Sequence, residues 1–275
     1  MWRSKIRGWY IIRSMDAQGL LSSMLAGRPA VQGALQACSA EDWPALLTLA
    51  GRLGVLPLLY RNLMQGGFAQ IVPAATAAEL RAAYYRCHAV NAHLFHELGA
   101  LLRGFEQAGI AVIPLKGAYL AESIYRDAGV RPMGDLDLLV PRGDVLRGME
   151  VLRAAGFAPY QDFSAEVELP LAKHLPPFQK NGTVIELHWD VTAPESPVRV
   201  DLDGLWRRAV PFENGNSRAL ALCPEDLLLH LCIHAAHHYF YDQLRSLCDV
   251  REGSWAVSAG QAFAPCGRRS NGGAG

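Results

Sequence analysis

The stretch RPMGDLDLLV, residues 131–140, sets two aspartates one residue apart inside an apolar run. In an extended strand, residues i and i+2 point to the same face. Asp135 and Asp137 therefore project together, while Leu136 and Leu138 face the other way, into a core. Aspartate is a poor strand former, and two like charges in fixed geometry need compensation. An exposed edge strand is one solution, but the apolar flanks argue against it. A divalent cation is the other. Mg²⁺ typically takes one or two carboxylates together with substrate phosphates. The pair therefore points to a metal-binding strand end.

Two further segments share that chemistry. In VIELHWDV (184–191), Glu186, His188 and Asp190 alternate with Ile185, Leu187 and Trp189. One face is ionisable and the other apolar, which also describes an ordinary half-solvated strand. If this strand pairs near the first, Glu186 becomes a third carboxylate. In LKGAYL (115–120), a Lys-Gly turn follows an apolar strand and precedes a helix. Backbone N–H groups and a positive helix end there suit an anion, and Lys116 adds a point charge suited to phosphate. A plain strand–helix connection would look the same.

Residues 16–106 read as a helical region from apolar spacings of three and four. In its second half, Leu80, Tyr84, Val90, Leu94, Leu98 and Leu101 are expected to share a face. Thr76 is expected to cap that helix and Gly109 to close it. The pattern then changes to a strand (110–117), a short helix with Leu120, Ile124 and Ala128 on one side, and the DLDLLV strand ended by Pro141. A helix follows, with Val145, Met149 and Leu152 inward and Gly156 as its stop. Next comes a hairpin around Asn181-Gly182, a strong turn signal. The expected division is a helical region (16–106), a core (107–212), a C-terminal helical region (213–250) and an irregular tail (251–275).

Composition narrows the function classes. With 51% hydrophobic and 19% charged residues among 275, the chain can bury a large core. Lys+Arg and Asp+Glu are both 26, so there is no bulk charge for coating nucleic acid. The six cysteines (Cys38, Cys87, Cys223, Cys232, Cys248, Cys266) form no CxxC pair and read as buried thiols of a reducing cytosol. No apolar run approaches the ~20 residues that span a bilayer. The start, MWRSKIRGWYIIRSM, reads as an extension ahead of Met15 rather than a signal peptide or a membrane-surface segment.

Taken together, PLKGAYLAESIYRDAGVRPMGDLDLLV and the later IELHW resemble the bacterial uncharacterised nucleotidyltransferase family, within the DNA polymerase beta-like nucleotidyltransferase superfamily. The resemblance spans roughly residues 40–250 and is specific at 113–140 and 183–190. It implies an α+β polymerase beta-like fold, a small mixed sheet with helices, flanked by N- and C-terminal helical regions. It implies a cytoplasmic, Mg²⁺-dependent enzyme that transfers a nucleoside monophosphate from an NTP such as ATP to an acceptor: a small molecule, sugar, peptide or protein. By position, Asp135, Asp137 and Glu186 would be the catalytic and metal-binding acids, with two Mg²⁺ ions roughly 3.5–4 Å apart. Glu186 would deprotonate or orient the acceptor hydroxyl. Lys116, Gly117, Arg131 and Gly134 would bind the nucleotide, and His188, His174 and His234 would line an acceptor pocket. Ala118 stands where the superfamily's turn usually has serine, so no hydroxyl meets phosphate there.

Two alternatives stand beside this reading. One is a catalytically weak module of the same fold that binds nucleotide or a partner. The other rests on HLCIHAAHH, where His230, His234, His237 and His238 fall at helical spacing. That spacing allows a zinc or iron phosphohydrolase, though no HD doublet or HExxH glutamate is present. Core or pocket histidines explain it more simply.

Overall fold

The computed structural model describes residues 17–26, 28–215, 217–237 and 243–258. The basic, aromatic start, Cys266, His238 and the last 17 residues lie outside the described residues, as does the His237 side chain. The chain is a mixed α/β protein with a small mixed sheet and many helices. The first elements are α1 (Ala17–Ala26), α2 (Arg28–Ala37), α3 (Trp43–Arg52), α4 (Leu56–Tyr60) and the long α5 (Ala74–Gln107). With the π-helical turn Arg61–Gln65 that follows α4, they pack Leu21, Met24, Leu46, Leu59, Leu63 and Leu80 into one apolar cluster.

Helix α5 departs from its expected face in one respect. Val90 is 51% exposed, and the inner stripe instead runs Leu80, Ala83, Cys87, Asn91, Leu94, Leu98, Leu101 and Phe105. A strict three–four alternation puts Asn91, not Val90, on the inner face. Asn91 is fully buried there, and its Nδ2 donates to the carbonyls of Ala128 (2.6 Å) and Arg131 (2.8 Å). A polar residue thus ties the helix to the loop that enters the aspartate strand. The helix begins at Ala74 behind Pro73, so Thr76 sits buried within the first turn rather than capping it. Gly109, with φ +64°, takes the left-handed position that ends it.

The sheet has five strands in the order β1-β2-β5-β4-β3. These are β1 (Ile113–Pro114), β2 (Leu136–Leu139), β3 (Ala158–Pro159), β4 (Phe178–Lys180) and β5 (Thr183–His188). β2 and β5 run parallel, and the other pairs are antiparallel. β2 lies inside the sheet, so all four of its residues are buried. Leu136, Leu138, Ile185 and Leu187 pack with Leu98, Leu101 and Phe105 of α5 in a second cluster. The β4–β5 hairpin turns at Asn181 and Gly182, both with positive φ (49° and 82°), as a two-residue hairpin turn requires.

Between these strands, α6 (Lys116–Tyr119) continues into a π-helical turn (Leu120–Ile124), so Ala128 lies beyond the helix. α7 (Val145–Ala154) buries Val145 and Leu152, with Met149 half-buried, and Gly156 (φ +88°) follows it. After α8 (Ala165–Leu171) and α9 (Leu202–Arg208) comes an unforeseen hairpin, β6 (Val210–Asn214) with β7 (Ser217–Ala221). Its short strands carry no clean alternation. The chain closes with α10 (Pro224–His237) and α11 (Gln243–Ser258). α11 runs eight residues past Val250, where sequence periodicity indicates an irregular tail. No helix among the described residues is long and apolar enough to cross a membrane. The five cysteines described are free thiols.

Candidate active site

Strand register builds the site. Asp137 of β2 stands opposite Glu186 of β5, and parallel pairing points both to the same face. His188 is two residues further along β5 and shares that face. Leu115 N–H donates to the Asp137 carbonyl (2.9 Å), which pins the Lys116-Gly117 turn beside the strand. Lys116 holds φ at 46°, a left-handed value uncommon outside glycine. Its Nζ donates to Asp137 Oδ1 at 2.7 Å. His188 Nε2 lies 2.9 Å from the same oxygen and 3.3 Å from Glu186 Oε2.

Asp135 falls just before β2 begins, yet it faces the same cavity of about 350 Å³. Of the expected site residues, Lys116, Gly117, Arg131, Gly134, Asp135, Asp137, His174, Glu186 and His234 all line this cavity. His188 is not on its wall. It is 2% exposed and stands behind the carboxylates.

The electrostatics divide the three acids. Burial works to raise the Asp137 carboxyl, but the His188 hydrogen bond and the Lys116 charge outweigh it and hold it well below the usual carboxylate range. The His188 contact also holds Glu186 low against the opposing effect of burial. Asp135 is raised, first by burial and then by the charge of Asp137. One acid thus remains undercompensated. Asp137, Glu186 and His188 offer three ligand atoms all within 4.8 Å of one another. That donor set, with Asp135 short of positive charge beside it, fits a divalent cation.

Arg131 is 9% exposed and committed to Asp249 of α11, with Nη2–Oδ2 at 2.8 Å. Tyr125 Oη donates to the other oxygen of Asp249 at 2.8 Å. Burial disfavours the Arg131 cation, but Asp249 more than offsets this and raises its pKa. The guanidinium backs directly onto Gly117. A Cβ there would overlap Arg131 Nη1 and lie 2.7 Å from Met133 Cγ. Gly117→Ala is therefore expected to lose about 1–3 kcal/mol of stability through overpacking, read from urea melts. Unchanged stability would show that this close approach is unimportant. Ala118, in contrast, is 1% exposed among the residues of the sheet core. Its side chain packs there instead of reaching the cavity, so the absent serine removes no contact from this wall.

His174 enters through a segment that pairs with the end of β5. Leu175 N–H donates to the Leu187 carbonyl (3.0 Å), and Trp189 N–H to that of Lys173 (2.9 Å). The His174 and His188 rings sit 4.8 Å apart between centroids. His174 Nδ1 lies 2.8 Å from the Leu175 carbonyl oxygen, so in the neutral ring the proton belongs on Nδ1. Nε2 then carries a lone pair, 3.9 Å from Glu186 Oε2.

Four wall residues escaped the sequence reading: Pro132, Lys173, Arg245 and Ser246. Lys173 sits in AEVELPLAKHLPPF, where prolines break any strand alternation. Burial, then the charge of Lys116, lowers its pKa. Arg245, Ser246 and Asp249 share α11, whose role emerges only from its packing. The i and i+4 positions of Arg245 and Asp249 are the one signal that could have linked them.

The α10 histidines divide. His234 faces the cavity, while His230 is buried, and neither of its ring nitrogens has a hydrogen-bond partner among the described residues. Among the described residues, no metal-ligand group includes them. Burial, reinforced by the charge of Lys116, lowers the His230 pKa to about 3. Between pH 6.5 and about 3 the unfolded chain therefore binds a proton that the folded chain refuses, so stability falls with pH across that window. His230→Leu should remove this share. Urea melts at pH 7 and pH 5 should show the wild type losing about 2 kcal/mol more than the variant. Equal losses would contradict the buried neutral imidazole.

A family model described as an uncharacterised nucleotidyltransferase matches residues 39–255 of the chain. No curated protein and no solved structure matches it.

Proposed function

Since the chain belongs to the uncharacterised nucleotidyltransferase family, we propose that it transfers a nucleoside monophosphate from an NTP to an acceptor hydroxyl, on a polymerase beta-like catalytic fold with Mg²⁺. The observation that carries this reading is convergence: Asp135, Asp137, Glu186 and the Lys116-Gly117 turn face one cavity. Those segments are far apart in sequence, and an ordinary half-solvated strand gives no reason for them to meet.

Asp135, Asp137 and Glu186 are the residues that would hold divalent cations, which neutralise the triphosphate and the departing pyrophosphate. The Lys116 and Lys173 ammonium groups face the same space and suit the phosphate tail as point charges. Gly117 lets the chain backbone approach that tail, and Arg131 keeps its wall in place from behind. The acceptor oxygen bonds to the α-phosphorus as the bond from that phosphorus to the β-bridging oxygen breaks. Pyrophosphate leaves with the bridging oxygen. The hydroxyl proton passes to Glu186, with the His174 Nε2 lone pair next in reach. His234, Arg245 and Ser246 form the wall available to the acceptor.

A second reading has its own support. Asp137 Oδ1 already accepts from Lys116 and is in contact with His188. A protein of this kind could bind nucleotide without turning it over. One experiment separates the two. Purified protein is incubated with Mg²⁺, each of the four NTPs and fractionated small-molecule and peptide pools, and pyrophosphate and product masses are followed. Active transfer yields pyrophosphate and a product heavier by one nucleoside monophosphate less water. Calorimetric binding of Mg-NTP with no pyrophosphate from any pool supports the second reading.

A further inference from the structure

The residues that converge here are not all oxygen donors. Asp137, Glu186 and His188 bring two carboxylates and one imidazole nitrogen within 4.8 Å of one another. The imidazole is rigidly placed. It is 2% exposed, its ring packs tilted against that of His174, and its backbone carbonyl accepts from Val140 N–H at 2.9 Å. Its Nδ1 is buried with no hydrogen-bond partner among the described residues, while Nε2 meets carboxylate oxygens of Asp137 and Glu186, so the neutral ring carries its proton on Nε2. A cation that displaces this proton to Nδ1 gains Nε2 as a lone-pair ligand.

We propose that Asp137, Glu186 and His188 form a mixed oxygen–nitrogen position that takes a first-row transition cation in preference to Mg²⁺. Mg²⁺ is a hard ion that favours oxygen and sheds water reluctantly. Imidazole suits transition ions, and affinity at such sites rises along the first row from Mn²⁺. Asp135 and Asp137, by contrast, frame an all-oxygen edge of the cavity suited to Mg²⁺ shared with phosphate. The two cation positions are therefore chemically unequal. Lys116 shares Asp137 Oδ1 at 2.7 Å, so an entering cation displaces an ammonium from that oxygen. A tightly held transition ion does so more readily than hydrated Mg²⁺.

This inference builds on the nucleotidyl-transfer reading, but its test needs no turnover. Mn²⁺ alone is titrated into the full chain without nucleotide, and binding is followed by loss of the free-ion EPR signal. Pulsed EPR of the bound ion then reads nitrogen ligation. The expected spectrum shows directly bonded ¹⁴N, which changes to the ¹⁵N pattern when histidine alone is ¹⁵N-labelled. The nitrogen signal should survive His174→Gln and vanish in His188→Asn. His188→Asn should also reduce the preference for Mn²⁺ over Mg²⁺ by about tenfold or more. If that variant fails to fold, the labelled wild type with His174→Gln still decides. Bound Mn²⁺ without histidine nitrogen, or a nitrogen signal lost in His174→Gln, overturns the proposal. If nitrogen ligation is present but no NTP is turned over, this cation position stands and the nucleotidyl-transfer reading falls.

Discussion

Asp135→Asn is expected to lower NTP-dependent pyrophosphate release by about a hundred- to a thousandfold, the scale of losing one preorganised charge-stabilising group. The same change should leave thermal stability equal or slightly higher. The two effects have one cause. Asp135 is pressed upward by burial and by Asp137, so its charge is a burden in the folded chain without a cation. Removing that charge relieves the repulsion and, on the proposed mechanism, removes a cation ligand together. Asp137→Asn should lose activity to a similar degree but lose stability as well. Its carboxylate accepts from Lys116 at 2.7 Å and meets His188 at 2.9 Å, and both contacts weaken with an amide. Melting curves alongside pyrophosphate assays separate the two variants. If Asp135→Asn destabilises the fold while keeping its activity, Asp135 is a structural residue and the assignment of its role is wrong.

The second large effect lies far from the acids in sequence. Asp249→Ala should cost about 3–5 kcal/mol, because it leaves Arg131 buried without its counter-charge. In a chain of this size that corresponds to a fall in Tm on the order of 10 °C. Nucleotide affinity should fall too, since Arg131 packs against Gly117 and lines the cavity. The double change Arg131→Met with Asp249→Leu discriminates between causes. Replacing a buried ion pair by apolar residues can be neutral, so stability should largely return while Mg-ATP binding stays weak. If calorimetry shows binding recovering with stability, Arg131 serves only the fold.

The candidate site was more legible in the sequence than the architecture around it. Alternation in DLDLLV and VIELHW exposes Asp137, Glu186 and His188, because a period of two translates directly into a shared face. What alternation could not give is that β2 and β5 pair in parallel with Asp137 opposite Glu186. Asn181-Gly182 was readable because only a few residue types adopt positive φ twice in succession. Val90 and Asn91 show the limit of hydrophobic period. An inward asparagine satisfied by two loop carbonyls looks polar in sequence and is buried in the fold. Lys173 and Asp249 were invisible for a different reason. Asp249 acts through Arg131, 118 residues away, and Lys173 reaches the wall by pairing its backbone with Trp189 from a segment that prolines interrupt, relations that local spacing cannot carry. The β6–β7 hairpin and the end of α11 were missed because their stability comes from neighbours rather than from a strong amphipathic pattern.

Nucleotidyl transfer requires attack at the α-phosphorus, and isotopic labelling tests that directly. The protein is incubated with Mg²⁺ and ATP labelled with ³²P at either the α or the γ position, using a metabolite extract as the acceptor pool. The predicted result is a new product carrying the α label, an equal amount of pyrophosphate, and loss of both in Asp135→Asn. A product carrying the γ label, or orthophosphate as the released species, would contradict nucleotidyl transfer at this site.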